Sequence, residues 1–275
     1  GLSARGVALD TGEMSGEEFP EFVEFWIARP SADDRHLVIY ALMDSPRLTG
    51  AYRFELHPDT RTRMAVRAEI YVREEGGKLG LAPLTSMYLF GENQNAPHPD
   101  YRPEVHDSDG LSVQTDQEWL WRPLVNPQRL QVTSFAAKQL KGFGLMQRDR
   151  AFHQYEDLEA RYDLRPSAWV APRGDWGPGR VELVLIPTPD ETNDNVVAYW
   201  VPDNPPKRGE PLRVRYDLSW QKKGETLPPL AHVVQTRRGH GWVKKQDDTL
   251  RYHIDFEGDA LKDLPAETPL RADVW

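Results

Sequence analysis

Cysteine does not occur in these 275 residues. That excludes disulfides, thiolate metal sites and a cysteine nucleophile, and it suits an oxidising compartment without requiring one. Long apolar runs are missing too: no stretch approaches the roughly 18 residues that a membrane-crossing helix needs, so no span is expected. Basic residues are the minority, 34 Lys and Arg against 43 Asp and Glu, for a net charge of −9. A chain this acidic is a poor partner for nucleic acid. The opening GLSARGVALDTGEMSGEEF has no basic n-region and no apolar h-region, so it does not read as a signal peptide. No serine sits in a G-x-S-x-G elbow, and no G-x-G-x-x-G opens a helix; Gly142-Phe143-Gly144 is too short to read as a phosphate loop.

What the chain does have is β pattern. Runs at 37–43, 48–56 and 64–72 are apolar or alternate apolar with polar at a period of two, the mark of strands. Shorter runs at 87–90, 111–115, 130–135, 143–147 and 212–220 are separated by Gly, Pro and Asx turns. Together they predict an all-β protein, a large antiparallel β-sandwich. One exception is expected near the start, where Phe19, Phe22, Val23 and Trp26 recur at helical spacing and predict a short amphipathic helix from Pro20 to about residue 27. A second, brief helical turn is expected at 156–162. The polar, proline-bearing segment 222–231 reads as a linker. Beyond it, runs at 231–236, 242–244 and 250–256 predict a smaller β-unit, giving domains at 1–221 and 232–275.

The most chemically loaded stretch is 180–201, RVELVLIPTPDETNDNVVAYWV. Apolar runs at 181–186 and 196–201 predict two strands of a hairpin, and the prolines and Asx residues between them predict its turn. That turn crowds Asp190, Glu191 and Asp194 into five positions, and like charges so close raise the pKa of at least one carboxyl. An Asx-rich solvated turn explains the same residues without chemistry. An EF-hand does not, because Asn195 and Val201 stand where glycine and glutamate are needed.

A carboxyl pair for glycoside hydrolysis needs a second member from elsewhere. The long connection 91–110 supplies His106-Asp107-Ser108-Asp109, with Asp107 the first choice and Asp109 the fallback. His98 and His106 beside Asp100, Asp107 and Asp109 hint at a metal, but proline-broken spacing fixes no ligand geometry, so no metal site and no cofactor are expected. The alternating acids and arginines at 155–165 read first as a surface ion-pair network. Arg161 and Arg165 could instead orient carboxylates or sugar hydroxyls. Trp169 and Trp176 precede the hairpin and are candidate platforms for pyranose rings, whereas Trp200, inside a strand, suits the core equally well.

The segment ETND at 191–194 resembles the motif of the bacterial periplasmic glucans biosynthesis proteins, the OpgG/MdoG and OpgD family. The likeness continues through FPEFVEFWIARP, YALMDSPRLTGAYRF, LAPLTSMYLFGEN, YRPEVHDSDGLSV, EWLWRPL, GFGLMQRDRAFHQYEDLEARYDLRPSAWV and ETNDNVVAYWVPD, in the family's order. The resemblance implies a periplasmic protein of osmoregulated glucan biosynthesis, here an internal fragment whose second unit begins an immunoglobulin-like domain. It implies an anomer-inverting endo-β-1,2-glucanase, with Asp194 as general acid, Glu191 beside it and Asp107 as base working through a water relay. It also implies β-1,2-glucan as substrate and the inner-membrane glucan synthase as a partner. The alternative is a non-hydrolytic glucan-binding factor for export or branching.

Overall fold

The computed structural model describes residues 1–222, 226–242, 244, 248–265, 267–269 and 271. Two antiparallel sheets face each other. The larger has nine strands in the order Trp119–Pro123, Gly110–Thr115, Leu140–Met146, Ser167–Pro172, Leu212–Gln221, Thr62–Val72, Leu48–His57, Leu37–Asp44 and Glu21–Ile27. The smaller runs Ser3–Ala4, Leu79–Ser86, Val196–Pro202, Gly179–Leu185 and Gln131–Ala137, with Val7–Leu9 also pairing to Leu79–Ser86. Between them lies one core. Met43, Leu48, Val66, Ile70, Leu111, Phe143, Val170 and Leu218 come from the first sheet, and Leu84, Val181, Leu183, Val196 and Trp200 from the second.

The hairpin expected at 180–201 is at the centre of the smaller sheet. Its strands pair from Gly179 opposite Pro202 to Leu185 opposite Val196. They are apolar on both faces for a reason. Val181, Leu183, Val196, Ala198 and Trp200 fill the main core, while Val184, Tyr199 and Val201 pack with Ala8 on the other side. Trp200 is therefore core. Tyr199 donates its hydroxyl to the Thr11 carbonyl at 3.2 Å and to Glu182 at 3.1 Å, which ties down the segment over that second face.

The expected N-terminal helix is a strand, Glu21–Ile27, at the edge of the larger sheet. Aromatic and β-branched side chains suit a strand, and pairing to Leu37–Asp44 satisfies backbone groups that an isolated turn of helix would leave to water. A register shift between Phe22 and Glu24 breaks the period of two and produces the apparent helical spacing. The turn expected at 156–162 is also different: short 3-10 turns lie at Phe152–Gln154 and Tyr162–Leu164, with Glu156 and Arg161 in left-handed backbone between them. Among the described residues six strands had no clear signal: Ser3–Ala4, Val7–Leu9, Leu79–Ser86, Val105–His106, Trp119–Pro123 and Ser167–Pro172. Beyond residue 221, His232–Arg238 and Tyr252–Glu257 form a two-stranded sheet of their own. The strand expected at 242–244 includes Val243, which lies outside the described residues, as do positions 223–225 of the linker.

The glycines at 142 and 144 have a packing role. A Cβ at Gly142 would come within 2.3 Å of the Trp169 indole, which lies across it on the outer face of the sheet. Trp169 is itself clamped by Trp119, stacked at 5.7 Å. Gly142→Ala is therefore expected to destabilise the protein by about 1–3 kcal/mol, the range for overpacking, read as a lower denaturant midpoint at unchanged m-value.

Candidate active site

The two candidate carboxylates meet because both of their segments hang on one short stretch of backbone. Asn195, fully buried after the acidic turn, accepts the Tyr88 N–H at 2.8 Å and donates to the Tyr88 carbonyl at 3.0 Å and the Ile186 carbonyl at 3.1 Å. On the other side, Tyr88–Phe90 pairs with Val105–His106, and the Asp107 N–H donates to the Met87 carbonyl at 2.9 Å. Ser86 and Ser108 hydroxyls, both buried, join the same two segments at 2.8 Å. Positions 107 and 194 are thereby fixed to neighbouring peptide units.

Asp107 Oδ2 and Asp194 Oδ1 lie 3.3 and 3.4 Å from one backbone nitrogen, that of Gly1, so the two carboxylates converge on one region of the structure. They differ in setting. The Asp194 side chain is 32% exposed, and the Thr85 hydroxyl donates to its Oδ2 at 3.4 Å. The Asp107 side chain is 3% exposed, with Arg165 Nε 3.2 Å from its Oδ1. That contact lacks hydrogen-bond geometry, so the guanidinium acts there as a counter-charge for a buried acid. Arg165 is anchored in turn by donating to the Ala160 carbonyl at 2.9 Å.

The acidic turn disperses its charges instead of crowding them. Asp190 accepts the Thr192 N–H at 2.9 Å and its hydroxyl at 2.5 Å, which hold this carboxyl below its ordinary value. Glu191 pairs at 2.7 Å with Arg102, whose guanidinium also reaches Asp157 at 3.0 Å and Asp100 at 2.9 Å. Arg102 was not singled out from sequence, although an arginine inside an acidic, proline-rich loop is a signal of a tether.

The carboxyls that are raised, Asp149 and Glu92, lie behind the site. Asp149 is pushed up to about 8, first by burial and then by Asp109 and Glu104. The His106 imidazole stacks on Tyr88 at 5.2 Å and stands with Nε2 at 2.8 Å from Glu104 and 3.6 Å from Asp109. Burial alone would lower it, but Asp109 and Glu104 outweigh that and lift it to about 9. Asp109, the fallback base, belongs to this cluster: its Oδ2 accepts the N–H groups of Arg148 and Asp149. Ligand atoms of Glu104, His106 and Asp109 lie within 4.8 Å of one another, as do those of Glu92, Glu104 and Asp149. Among the described residues these groups, and not His98 with Asp100, are the ones that could take a cation.

The other candidates lie apart. Arg161 forms a two-point pair with Asp163 at 3.0 and 2.9 Å, the surface ion pair that its sequence setting suggested. Trp169 is only 3% exposed, on the outer face of the nine-stranded sheet. Trp176 packs edge-on to Tyr216 at 5.8 Å and donates to the Arg215 carbonyl at 3.2 Å. Neither tryptophan is an exposed platform beside the aspartates. Sequence proximity to the hairpin misleads here, because adjacent strands in the chain belong to opposite sheets.

The model for the family "Periplasmic glucan biosynthesis protein, MdoG" matches residues 1–275. The chain belongs to that family. It is 60% identical to the glucans biosynthesis protein G of Ralstonia nicotianae, across 98% of this chain and 55% of that protein. Identity to the namesake of Dickeya dadantii is 55%, across 98% and 53%, and to that of Pseudomonas paraeruginosa 56%, across 100% and 54%. The chain thus spans about half the length of the curated relatives it matches. Among solved structures, a GH36 α-galactosidase from Geobacillus stearothermophilus superposes with a TM-score of 0.42 at 10% identity, over 81% of this chain and 32% of that one. A likeness that loose carries no argument. Among the described residues no helix is long and apolar enough to cross a membrane.

Two outcomes follow for a member of this glucan family built in this way. Asn195→Ala strands the Tyr88 N–H and carbonyl in the interior, at about 1–3 kcal/mol for each unmet group, so a loss of about 2–5 kcal/mol is expected in denaturant titration. The pH response has a fixed sign. Asp149 and His106 both bind protons more tightly folded than at their ordinary values of 3.8 and 6.5. Their contribution is complete at low pH and is lost as pH rises, through about 8 for Asp149 and about 9 for His106. Tm should fall from neutral pH toward pH about 9, and Asp149→Asn should flatten the fall; a steeper fall in the variant would contradict it.

Proposed function

We propose that the sandwich acts on β-1,2-linked glucan in the periplasm as an inverting endo-glucanase-type hydrolase. The single observation that carries this reading is the convergence of Asp107 and Asp194 on one region from distant parts of the chain. Those contacts cap the gap between Asp107 Oδ2 and Asp194 Oδ1 at about 7 Å, which suits a carboxyl pair flanking a glycosidic bond; the inverting stereochemistry is taken from the family resemblance and not from this spacing. Asp194, the more exposed, would protonate the glycosidic oxygen. Asp107, buried against Arg165, would draw the proton from the attacking water, directly or through a relay. Glu191, tethered to Arg102, would set the pose of the turn that carries Asp194, and Arg165 would orient Asp107.

In this reading residues 1–221 belong to the C-terminal portion of the glucan-acting domain, 222–231 form a linker, and 232–275 belong to an immunoglobulin-like domain. The inner-membrane glucan synthase is the natural partner of a factor that works on the nascent chain. The second reading, a glucan-binding factor without hydrolysis, is favoured by the relatives' printed name, which describes biosynthesis.

The test uses the full-length protein on linear β-1,2-glucan. Turnover should fall by about 10²–10⁴ in Asp194→Asn and in Asp107→Asn. Proton NMR of the first product should show the α anomer; a β anomer would leave cleavage but remove inversion. Tight binding without shortening of the glucan would transfer the assignment to the carrier.

A further inference from the structure

The outer face of the nine-stranded sheet, away from the two aspartates, carries a cleft of about 650 Å³. That size lies within the roughly 300–1,000 Å³ usual for small-molecule sites. Trp169 forms part of its floor, and Arg61, Arg63, Lys141, His57, Asp217 and Ser219 are among its walls. The register explains why they converge. Arg63 stands directly between His57 on one neighbouring strand and Ser219 on the other, and Ser219 stands beside Trp169. Arg61 lies in the bend just before that strand and lines the same cleft as Arg63.

The charges in this cleft do not cancel. His57 is turned to Glu55 at 2.9 Å, and Asp217 is neutralised by Arg173 at 2.7 Å. Lys141 is held by the neutral Gln139 oxygen at 2.9 Å. Among the described residues no carboxylate pairs with Arg61 or Arg63. Asp59, whose Oδ1 accepts the Thr60 N–H at 2.7 Å, is the remaining acid in the wall. In a protein of net charge −9, three cations facing one uncompensated acid form a local reversal of sign.

We propose that this cleft binds a saccharide bearing an oxyanion, a phosphorylated or carboxylated sugar. Arg61 and Arg63 take the anionic group as paired guanidinium donors. Lys141 adds charge from the opposite wall. The Gln114 side chain, also in the wall, takes sugar hydroxyls, and Trp169 lies in the floor beneath the ring. The site is independent of hydrolysis at the aspartates.

Calorimetric titration of the full-length protein with glucose 6-phosphate, glucuronate, inorganic phosphate and glucose tests it. At least one of the two acidic sugars should bind tenfold or more tightly than glucose and than phosphate, with affinity falling as salt rises. Arg61→Gln and Arg63→Gln, both at exposed positions, should each weaken that binding several-fold without lowering Tm, and Asp194→Asn should leave it unchanged. Glucose binding as well as the acidic sugars would overturn the proposal, and so would phosphate alone binding as tightly. Absence of binding, or binding that survives both arginine variants, would overturn it equally.

Discussion

Two backbone hydrogen bonds to one side chain organise the candidate site. Asn195 closes on both polar groups of Tyr88, and the next residue back, Met87, receives the Asp107 N–H. An amide side chain is suited to this task because it can imitate a strand, offering one donor and one acceptor in fixed geometry. The acidic turn cannot drift from the 87–107 segment without leaving buried peptide groups unpaired, so the carboxylates on either side inherit a defined relation. Their own contacts with solvent and with Arg165 only refine it.

Behind that hinge lies an acidic interior that a sandwich does not need for stability. Glu104, Asp149 and His106 are buried together, and the imidazole ring is wedged between Tyr88 and Tyr155. Gln147 donates to the carbonyls of His106 and Tyr162 at 2.9 and 3.3 Å, while its oxygen meets the imidazole Nδ1 at 3.0 Å. The amide thus joins the strand before Asp107 to the turn before Arg165. Burying so many ionisable groups is tolerable only because protons and hydrogen bonds compensate them. The second β-unit closes over this region: Thr236 N–H donates to Glu92 at 2.6 Å, and Arg238 N–H to the Glu92 carbonyl at 3.0 Å.

Much of the fold was legible from residue order. The central hairpin announced itself through two runs apolar on both faces, and most of the long strands through their alternation. The failures have physical causes. At 21–27 a bulge shifted the alternation into helical spacing. The strand Leu79–Ser86 is buried on both faces and contains Pro83, so it shows neither alternation nor an unbroken β-rich run. Of the candidate residues, Asp107, Asp194 and Arg165 converge. Trp169 and Trp176 do not join them, because a strand's place in the sheet order cannot be read from its neighbours in the chain.

The sequence by itself determined the all-β class, the hairpin with its acidic turn, and the glucan-biosynthesis family, since these reside in local periodicity and in long ordered motifs. Tertiary structure alone decided which carboxylates share a region, which are locked in ion pairs, and where a raised pKa falls. Those properties depend on through-space distance and burial, and both are set by how the two sheets are ordered and stacked, with Asn195 and Met87 as the points where distant segments are sewn together.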